Sequence, residues 1–346
     1  MEKVKLSDIC NPKQWKAIST SDLLNEGYPV YGANGIIGYY NEYNHENPVV
    51  TVTCRGATCG SINITVPKAY VTGNAMCLDD LRSDVEIEYL YYCLKHYDFK
   101  NIISGSAQPQ ITRQGMEKIY IMLCSQEEQK DIVKKLKKTE KIIKLTKQEL
   151  QSLDNLVKAR FVEMFGDVIH NNRKWKCKQF SDITSSRLGK MLDTKHQTGT
   201  CKYPYLANFN VQWFRFELAN LNEMDFNEKD RKEFCLEDGD LLVCEGGEIG
   251  RCAVWHNQVK KCFFQKALHR VRCNQDIILP DYLSWWFKYN CENGGFAAIE
   301  GAKATISHLT GAKMKMLDVT VPPIELQEQF VDFIHQVDKS KFINTI

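Results

Sequence analysis

The sequence predicts an α+β protein with two similar α/β domains joined by long helices, which form an antiparallel coiled coil with pseudo-two-fold symmetry. Two observations predict this fold. Short sequence matches recur in one order, with an offset that grows from 174 residues at Leu6 and Phe180 to 198 residues at Gln129 and Gln327. A stretch without proline or glycine, with heptad spacing, separates the copies. The predicted domains are 1–124 and 167–322, and the predicted helices are 125–166 and 323–346.

Length and composition are those of an ordinary globular protein. The 346 residues are 43% hydrophobic and 25% charged, and 45 basic residues nearly balance 43 acidic ones. This balance argues against a strongly basic nucleic-acid coat, so a DNA-binding role has to depend on local patches. The start of the sequence has no apolar signal region and no run is long enough to cross a membrane, so we expect a cytoplasmic protein with no membrane partner.

The 14 cysteines are scattered and form no CxxC pair, which gives no indication of a metal site or another cofactor. We expect reduced thiols that serve as small core residues.

Five matches between the two copies define the repeated unit. They pair 6–9 with 180–183, 28–35 with 203–210, 54–61 with 244–251, 87–97 with 280–290, and 104–112 with 300–307. The third match aligns Gly56 with Gly246 and Gly60 with Gly250. Each match alone is weak, but their constant order indicates a duplicated domain of ordinary size.

Within each copy, an apolar strand and a helix can be predicted. Segments 47–54 and 239–245 are β-branched or apolar runs that end at glycines, which is typical of a strand followed by a tight turn. Segments 85–97 and 279–290 have helical spacing. The side chains expected in the core are Leu90, Tyr91, Leu94, Leu283, Phe287 and one of Trp285 and Trp286.

The stretch 127–165 predicts one long helix that ends at Gly166. Its apolar residues follow alternating steps of four and three, which is a coiled-coil seam, and the segment after Pro323 continues the same rhythm. The predicted seam consists of Ile132, Leu136, Ile143, Leu150, Leu153 and Val157 in the first helix, and Phe330, Ile334 and Val337 in the second.

The sequence resembles the DNA-specificity subunits of type I restriction–modification systems. The resemblance is carried by SGSAQPQITRQGMEKIYIMLCSQEEQKDIV and GAKATISHLTGAKMKMLDVTVPPIELQEQF at the ends of the copies, with LVKARFVEMFGD and EDGDLLVCEGGEIG in support. It implies two target recognition domains that each recognise half of a bipartite, asymmetric double-stranded DNA site. It also implies helices that act as a ruler and dock methyltransferase (modification) subunits, with restriction/translocase subunits joining them. The chain itself would be non-catalytic.

The chain departs from the family's pattern in two places. Cys124 and Ser125 stand where the family usually has two prolines, and the second helix would hold only about 20 residues. Half of the first helix's seam would then lack a partner within the chain. Self-association through the short second helix is one alternative for covering it.

Polar loops supply the candidate DNA contacts, because phosphates need cations and base edges need side chains such as Gln, Arg and Lys. In the first domain the candidates are Lys13, Gln14, Lys16, Arg55, Gln108, Gln110 and Arg113. In the second domain they are Arg187, Lys190, Lys195, His196, Lys303, Ser307 and His308. An ordinary solvated loop is the alternative for each of them.

Other functions have weaker support. Asp240, Glu245 and Glu248 with Lys266 offer the residue types of a metal-dependent nuclease, but on a segment that the resemblance assigns to a structural strand. Asn47-Pro48 lacks the context of a methyltransferase motif, and no phosphate-binding loop occurs. The alternative from a different class is a coiled-coil interaction scaffold without DNA specificity.

Overall fold

The computed structural model describes residues 1–33, 35–105, 108–192, 199–297 and 308–343. They divide into two compact units, unit 1 (Met1–Leu145) and unit 2 (Thr146–Ile346). The long helix runs across this division and contributes residues to both units.

The described residues of unit 1 form eleven strands and two helices, followed by the first part of the long helix. The strands are β1 (Glu2–Lys5), β2 (Asn11–Gln14), β3 (Tyr28–Gly32), β4 (Gly35–Tyr40), β5 (Val50–Thr53), β6 (Ile62–Ile64), β7 (Tyr70–Val71), β8 (Ala75–Asp79), β9 (Ile103–Ser104), β10 (Gln110–Ile111) and β11 (Tyr120–Leu123). The helices are α1 (Ile87–Lys95), α2 (Arg113–Met116) and the long α3 (Gln126–Phe165).

Unit 2 repeats this pattern with insertions. Its strands are β12 (Lys176–Gln179), β13 (Thr184–Leu188), β14 (Lys202–Leu206), β15 (Val211–Gln212), β16 (Arg215–Phe216), β17 (Asn222–Asp225), β18 (Leu241–Cys244), β19 (Cys252–Val254), β20 (Phe263–Phe264), β21 (Leu268–Cys273) and β22 (Asp318–Val321). Its helices are α4 (Phe180–Ile183), α5 (Glu228–Phe234), α6 (Pro280–Glu292), α7 (Gly311–Lys315) and α8 (Ile324–Ile343).

The sheets of the two units share one topology. The order β2-β8-β5-β6 in unit 1 matches β13-β21-β18-β19 in unit 2, β4-β3-β7 matches β17-β14-β20, and β1-β11 matches β12-β22. In both three-stranded sheets one pairing is antiparallel and the other is parallel. The predicted α+β fold with two similar domains is therefore confirmed.

The strand registers correct the sequence alignment by one residue at the glycine turn. Val52 pairs with Met76 and Val243 pairs with His269, which equates Val52 with Val243 and Gly56 with Gly247 rather than Gly246. Gly56 and Gly247 have φ values of +88° and +83°, a conformation that favours glycine. The sequence match erred because the turn before Gly60 and Gly250 differs by one residue in length.

The predicted core faces of α1 and α6 are buried. Leu90, Leu94, Leu283 and Phe287 are all fully buried, and Tyr91 packs against the unit 1 core. Both Trp285 and Trp286 lie in the unit 2 core, where the sequence predicted only one of them. The larger aromatic set follows from α6 being covered by the four-stranded sheet on one side and by α3 and α8 on the other.

In unit 2, α3 and α8 pack antiparallel. The Phe330 ring lies 5.4 Å from the Phe161 ring and 5.3 Å from the Phe165 ring, and Lys341 Nζ lies 2.8 Å from Asp154 Oδ1. Residue numbers thus rise along α8 as they fall along α3. The predicted seam residues Leu153, Val157, Phe330, Ile334 and Val337 all pack in the unit 2 core, and Leu150 is half-buried.

The rest of the predicted seam behaves differently. Ile132 and Leu136 pack against the core of unit 1, where α1 also holds α3 through ion pairs from Glu88 to Lys137 and from Lys95 to Glu140. Ile143 remains 49% exposed. The seam is therefore covered at its two ends by different partners and is open in the middle.

One buried glutamine marks the start of each long helix. Gln129 Nε2 donates to the carbonyls of Asp84 and Cys124, and its Oε1 accepts from the Glu86 N–H. Gln327 makes the corresponding three bonds in unit 2, with Ile277, Pro322 and Leu279. The matched pair Gln129 and Gln327 is thus a repeated connection between a helix start and the loop before α1 or α6.

None of the helices in the described residues is long and apolar enough to span a membrane.

Candidate nucleic-acid interface

Three loops meet at one end of the four-stranded sheet of unit 1. They are the loop after β3 at Ala33, the glycine turn after β5 at 54–56, and the segment 108–110 before α2. The Thr53 hydroxyl donates to the Ala33 carbonyl, the Gly56 N–H donates to Pro109 O over 3.2 Å, and the Ile111 N–H donates to Cys54 O over 3.0 Å. We call these loops the unit 1 loop surface.

Four of the predicted DNA contacts lie at the unit 1 loop surface. Arg55 is exposed and its backbone forms a bridge with Gln110, next to the exposed Gln108. Gln14 ends β2 beside them, and its Nε2 donates to Cys54 Sγ and to Gly73 O, both over 2.9 Å. A guanidinium and two amides are the groups that bind phosphates and base edges, so this surface has suitable chemistry for duplex DNA.

Three other predicted contacts in unit 1 lie elsewhere or are engaged. Lys13 faces the opposite side of β2 from Gln14, with Nζ 3.8 Å from the centre of the Trp15 ring. Arg113 donates to Glu117 and to Asn11, at the far end of β2. Lys16 is exposed near β7, where the Tyr70 hydroxyl donates to its carbonyl.

Unit 2 builds the same three-loop arrangement with different side chains. Asn208, in the loop after β14, donates from Nδ2 to Gly246 O over 3.2 Å. The Leu309 N–H donates to Glu245 O over 2.8 Å, as Ile111 does to Cys54 in unit 1. His308 is exposed beside Gly246, where an added Cβ would approach its Nδ1 to 2.9 Å. We call the loops at 208–209, 245–247 and 308–309 the unit 2 loop surface.

The two cations predicted in the β13 region are already paired. Arg187 forms an ion pair with Glu233 and lies over the Phe234 ring, yet stays half-exposed. Lys190 is more enclosed: its Nζ donates to Asp230 Oδ2 over 2.6 Å and to the Asp225 carbonyl over 2.5 Å. Lys190 therefore connects the segment after β13 to the start of α5, so it contributes to the stability of unit 2.

The remaining predicted contacts Lys195, His196, Lys303 and Ser307 lie outside the described residues.

Sequence reasoning missed three polar side chains near the unit 2 loop surface. Among the residues that the structure describes, Asn208 Oδ1, Arg251 Nε and His269 Nε2 are buried atoms without a hydrogen-bond partner. Burial also lowers the pKa of His269, and nearby Glu245 only partly opposes this. Asn208 lies in the segment 203–210 that matches 28–35, but nothing in the sequence pattern singled out Asn208, Arg251 or His269.

The carboxylates considered for a nuclease do not converge on Lys266. Asp240 is buried and accepts from Arg272 Nε over 2.7 Å, and Glu248 accepts from Trp213 Nε1 over 2.6 Å. These groups hold strands and loops of unit 2 together.

The comparison with known families agrees with this architecture. The family model for the type I restriction modification DNA specificity domain matches residues 1–155 and 172–346. The chain belongs to this family. The two matched segments correspond to the two copies of the duplicated domain. Membership confirms the prediction of a DNA-specificity subunit, which is a recognition subunit and not a catalytic one.

Individual relatives are similar at modest identity. A putative type I restriction enzyme specificity subunit of Haemophilus influenzae is 22% identical over 337 residues, which cover 93% of this chain and 83% of that protein. The type I restriction enzyme EcoprrI specificity subunit of Escherichia coli is 26% identical over 102 residues, or 30% of this chain and 25% of that protein.

Two solved structures share the fold. The S subunit of a type I restriction–modification system from M. genitalium has a TM-score of 0.63 and 13% identity, covering 99% of this chain and 91% of that one. A chain from a structural study of type I complex assembly has a TM-score of 0.58 and 13% identity, covering 99% and 92%. At such identities the likeness extends to the fold alone.

Proposed function

We propose that each unit of this specificity subunit recognises one half of a bipartite, asymmetric double-stranded DNA site through its loop surface. The carrying observation is that the two units bring the same three loops together and close the third loop with the same backbone bond, from Ile111 to Cys54 and from Leu309 to Glu245, but with different side chains. Unit 1 presents Arg55, Gln108 and Gln110, whereas unit 2 presents Asn208 and His308. Two units with the same loop arrangement but different side chains could each bind a different DNA half-site.

The side-chain types support recognition of base edges. Arg binds guanine O6 and N7 in a bidentate manner, and Gln and Asn bind adenine N6 and N7. The exposed cation Arg55 also suits a phosphate, which fixes register without specifying sequence. Overall charge is too balanced for strong non-specific binding, so affinity has to come from these local contacts.

We propose further that α3 docks the methyltransferase (modification) subunits, which in turn assemble with restriction subunits. Ile142, Ile143 and Leu145 are 49–53% exposed in the middle of α3, and Leu156 is 49% exposed nearer its end. Large apolar side chains on a solvent-facing stretch of helix are typical of a protein interface. A protein-interaction scaffold without DNA specificity would share this surface, and the DNA experiment separates the two.

The test is a base-resolution methylome of cells that carry this chain and its partner methyltransferase. Wild type is compared with the loop variants R55A/Q108A in unit 1 and N208A/H308A in unit 2, and with K118A as an exposed cationic control in unit 1. We expect a motif of two unlike halves separated by a fixed gap. Each loop variant should relax one half only, and the control should leave the motif unchanged.

Two outcomes would contradict the proposal. A palindromic motif would mean that one unit supplies both halves. A motif that survives both loop variants would mean that the loop surfaces do not contact the bases. An unchanged methylome in cells lacking only this chain would instead favour the scaffold.

A further inference from the structure

A cluster of potential metal ligands lies in unit 1, apart from the unit 1 loop surface. His45, Cys77 and Asp79 each offer one ligand atom, and these atoms all lie within 4.8 Å of one another. His45 and Asp79 line a cleft of about 580 Å³ together with Asn44 and Trp15, and Cys77 is buried beside them. We propose that this cluster binds one zinc ion, with a water from the cleft as the fourth ligand.

The surroundings of His45 fix which ring nitrogen can bind a metal. Asn44 is oriented by Val71, because its Nδ2 donates to Val71 O over 3.0 Å and its Oδ1 accepts from Val71 N over 2.9 Å. Asn44 Oδ1 also lies 2.6 Å from His45 Nδ1, so Nδ1 has to carry the proton. Nε2 is then the ligating atom, with its partner nitrogen held by an oxygen as in established zinc sites.

The other two ligand atoms are prepared in different ways. Asp79 Oδ1 lies 3.0 Å from His45 Nε2, while its Oδ2 accepts from Trp15 Nε1 over 3.0 Å. One carboxylate oxygen is thus anchored and the other faces the histidine. Cys77 is buried on β8, two residues before Asp79 and on the same side of the strand. On binding, zinc accepts the lone pair of His45 Nε2 and displaces the proton of Cys77 Sγ, which leaves to solvent.

Thiolate, imidazole and carboxylate together favour zinc over the harder cations magnesium and calcium. Three protein ligands and an open fourth position form an ordinary zinc coordination set. The cysteine spacing did not predict this cluster because its histidine is 32 residues from Cys77 in sequence.

The second copy of the domain supports a cation at this place. Lys13 pairs with Cys77 and Asn11 pairs with Asp79, just as Arg187 pairs with Arg270 and Ser185 pairs with Arg272. Where unit 1 has a thiol and a carboxylate, unit 2 therefore has two guanidinium groups.

Those two arginines join the sheet of unit 2 to neighbouring segments. Arg272 is paired with Asp240, and Arg270 donates to the carbonyls of Glu233 and Cys235. In unit 1, zinc would supply the positive charge and join β8 to the segment around His45. That segment forms a two-bond bridge with Ala69 next to the three-stranded sheet. The site would therefore connect the four-stranded and three-stranded sheets of unit 1.

The test uses the purified full chain. We expect one zinc per chain after dialysis, and X-ray absorption at the zinc edge should require one sulfur ligand at about 2.3 Å. Replacement with Co²⁺ should give a thiolate-to-cobalt charge-transfer band that is absent in C77S and present in C93S, a control at a half-buried cysteine outside the cluster.

A chelator should lower the Tm of wild type and C93S but not of C77S, because a ligand that binds only the folded state stabilises it. A wild-type chain that holds less than half an equivalent of zinc and gives no charge-transfer band overturns the proposal. So does a sulfur-free zinc edge or a band that persists in C77S. The wild-type spectra decide the question even if C77S fails to fold, and none of these results depends on DNA recognition.

Discussion

The buried glutamines Gln129 and Gln327 allow a sharp test of how each domain is joined to its long helix. In the variant Q129M, a side chain of similar length replaces the amide without its polar atoms. The Glu86 N–H loses its acceptor, and the carbonyls of Asp84 and Cys124 lose their donor. The buried backbone N–H is the most costly loss, because it cannot bind water where the helix covers it.

The magnitude follows from the three bonds. A buried donor left without a partner costs about 1–3 kcal/mol, and each lost bond to a carbonyl contributes about 1 kcal/mol. Some of this is recovered because methionine is apolar and the site is fully buried. We expect a net loss of about 3 kcal/mol, which for a unit of this size corresponds to roughly 6–12 °C in Tm.

Two measurements check the result. Thermal unfolding should show the loss in Q129M and, through Leu279, in Q327M, whereas the exposed control Q151M on the same helix should change by less than about 2 °C. Hydrogen exchange should show lost protection at the Glu86 amide in Q129M and at the Leu279 amide in Q327M. Unchanged protection at both amides would refute the reasoning, even if the Tm fell.

Four further predictions follow from individual contacts. R55A should weaken binding to the target duplex by about fivefold or more, measured by fluorescence anisotropy. Its Tm should not change, because Arg55 is exposed. Equal affinity of R55A and wild type would exclude Arg55 from the interface. K190A should lower the free energy of unfolding by about 1–2 kcal/mol, because it breaks the enclosed ion pair with Asp230. R187A should lower it by less than about 0.5 kcal/mol, because the ion pair of Arg187 with Glu233 is half-exposed. Equal losses in the two variants would contradict this ranking. I143D should abolish co-purification with the methyltransferase without changing the Tm, because Ile143 is exposed. L136D should lower the Tm, because Leu136 packs against the core of unit 1. Normal co-purification of I143D would argue against docking on α3. H269M should make unfolding less sensitive to acid. Burial lowers the folded-state pKa of His269, so as the pH falls below about 6.5 the unfolded state takes up the proton first, and wild type loses up to about 1.4 kcal/mol of stability per pH unit. Parallel curves of stability against pH for wild type and H269M would contradict this.

The duplicated frame could be predicted from the sequence because its signals are local and repeated. The heptad spacing of α3, the apolar faces of α1 and α6, and the match between Gln129 and Gln327 all depend on periodicity or on short conserved order within one chain. Even the glycine turns were found, although the alignment missed by one residue. Such features survive sequence divergence between the copies because backbone geometry and core packing require them.

The interface could be predicted only in part because it depends on contacts between distant segments. Arg55 and Gln110 meet through a bridge that spans more than fifty residues, and the sequence placed both only as loop residues. Lys190 looked like a free cation because its partner Asp230 lies in an insertion that unit 1 lacks. The cluster of His45 and Cys77 was missed for the same reason, since no local spacing joins them.

The comparison of the two units separates what the fold needs from what recognition needs. Positions that hold the frame keep the same bonds in both copies: the glutamine at each helix start, the N–H that closes the third loop, and the left-handed glycine of each turn. Positions at the loop surfaces change chemistry: Arg55 stands where unit 2 has Gly246, and Gln110 stands where unit 2 has His308. Different side chains at the two loop surfaces are what two different half-sites would require, because the frame has to present both loop surfaces while only the side chains specify the bases.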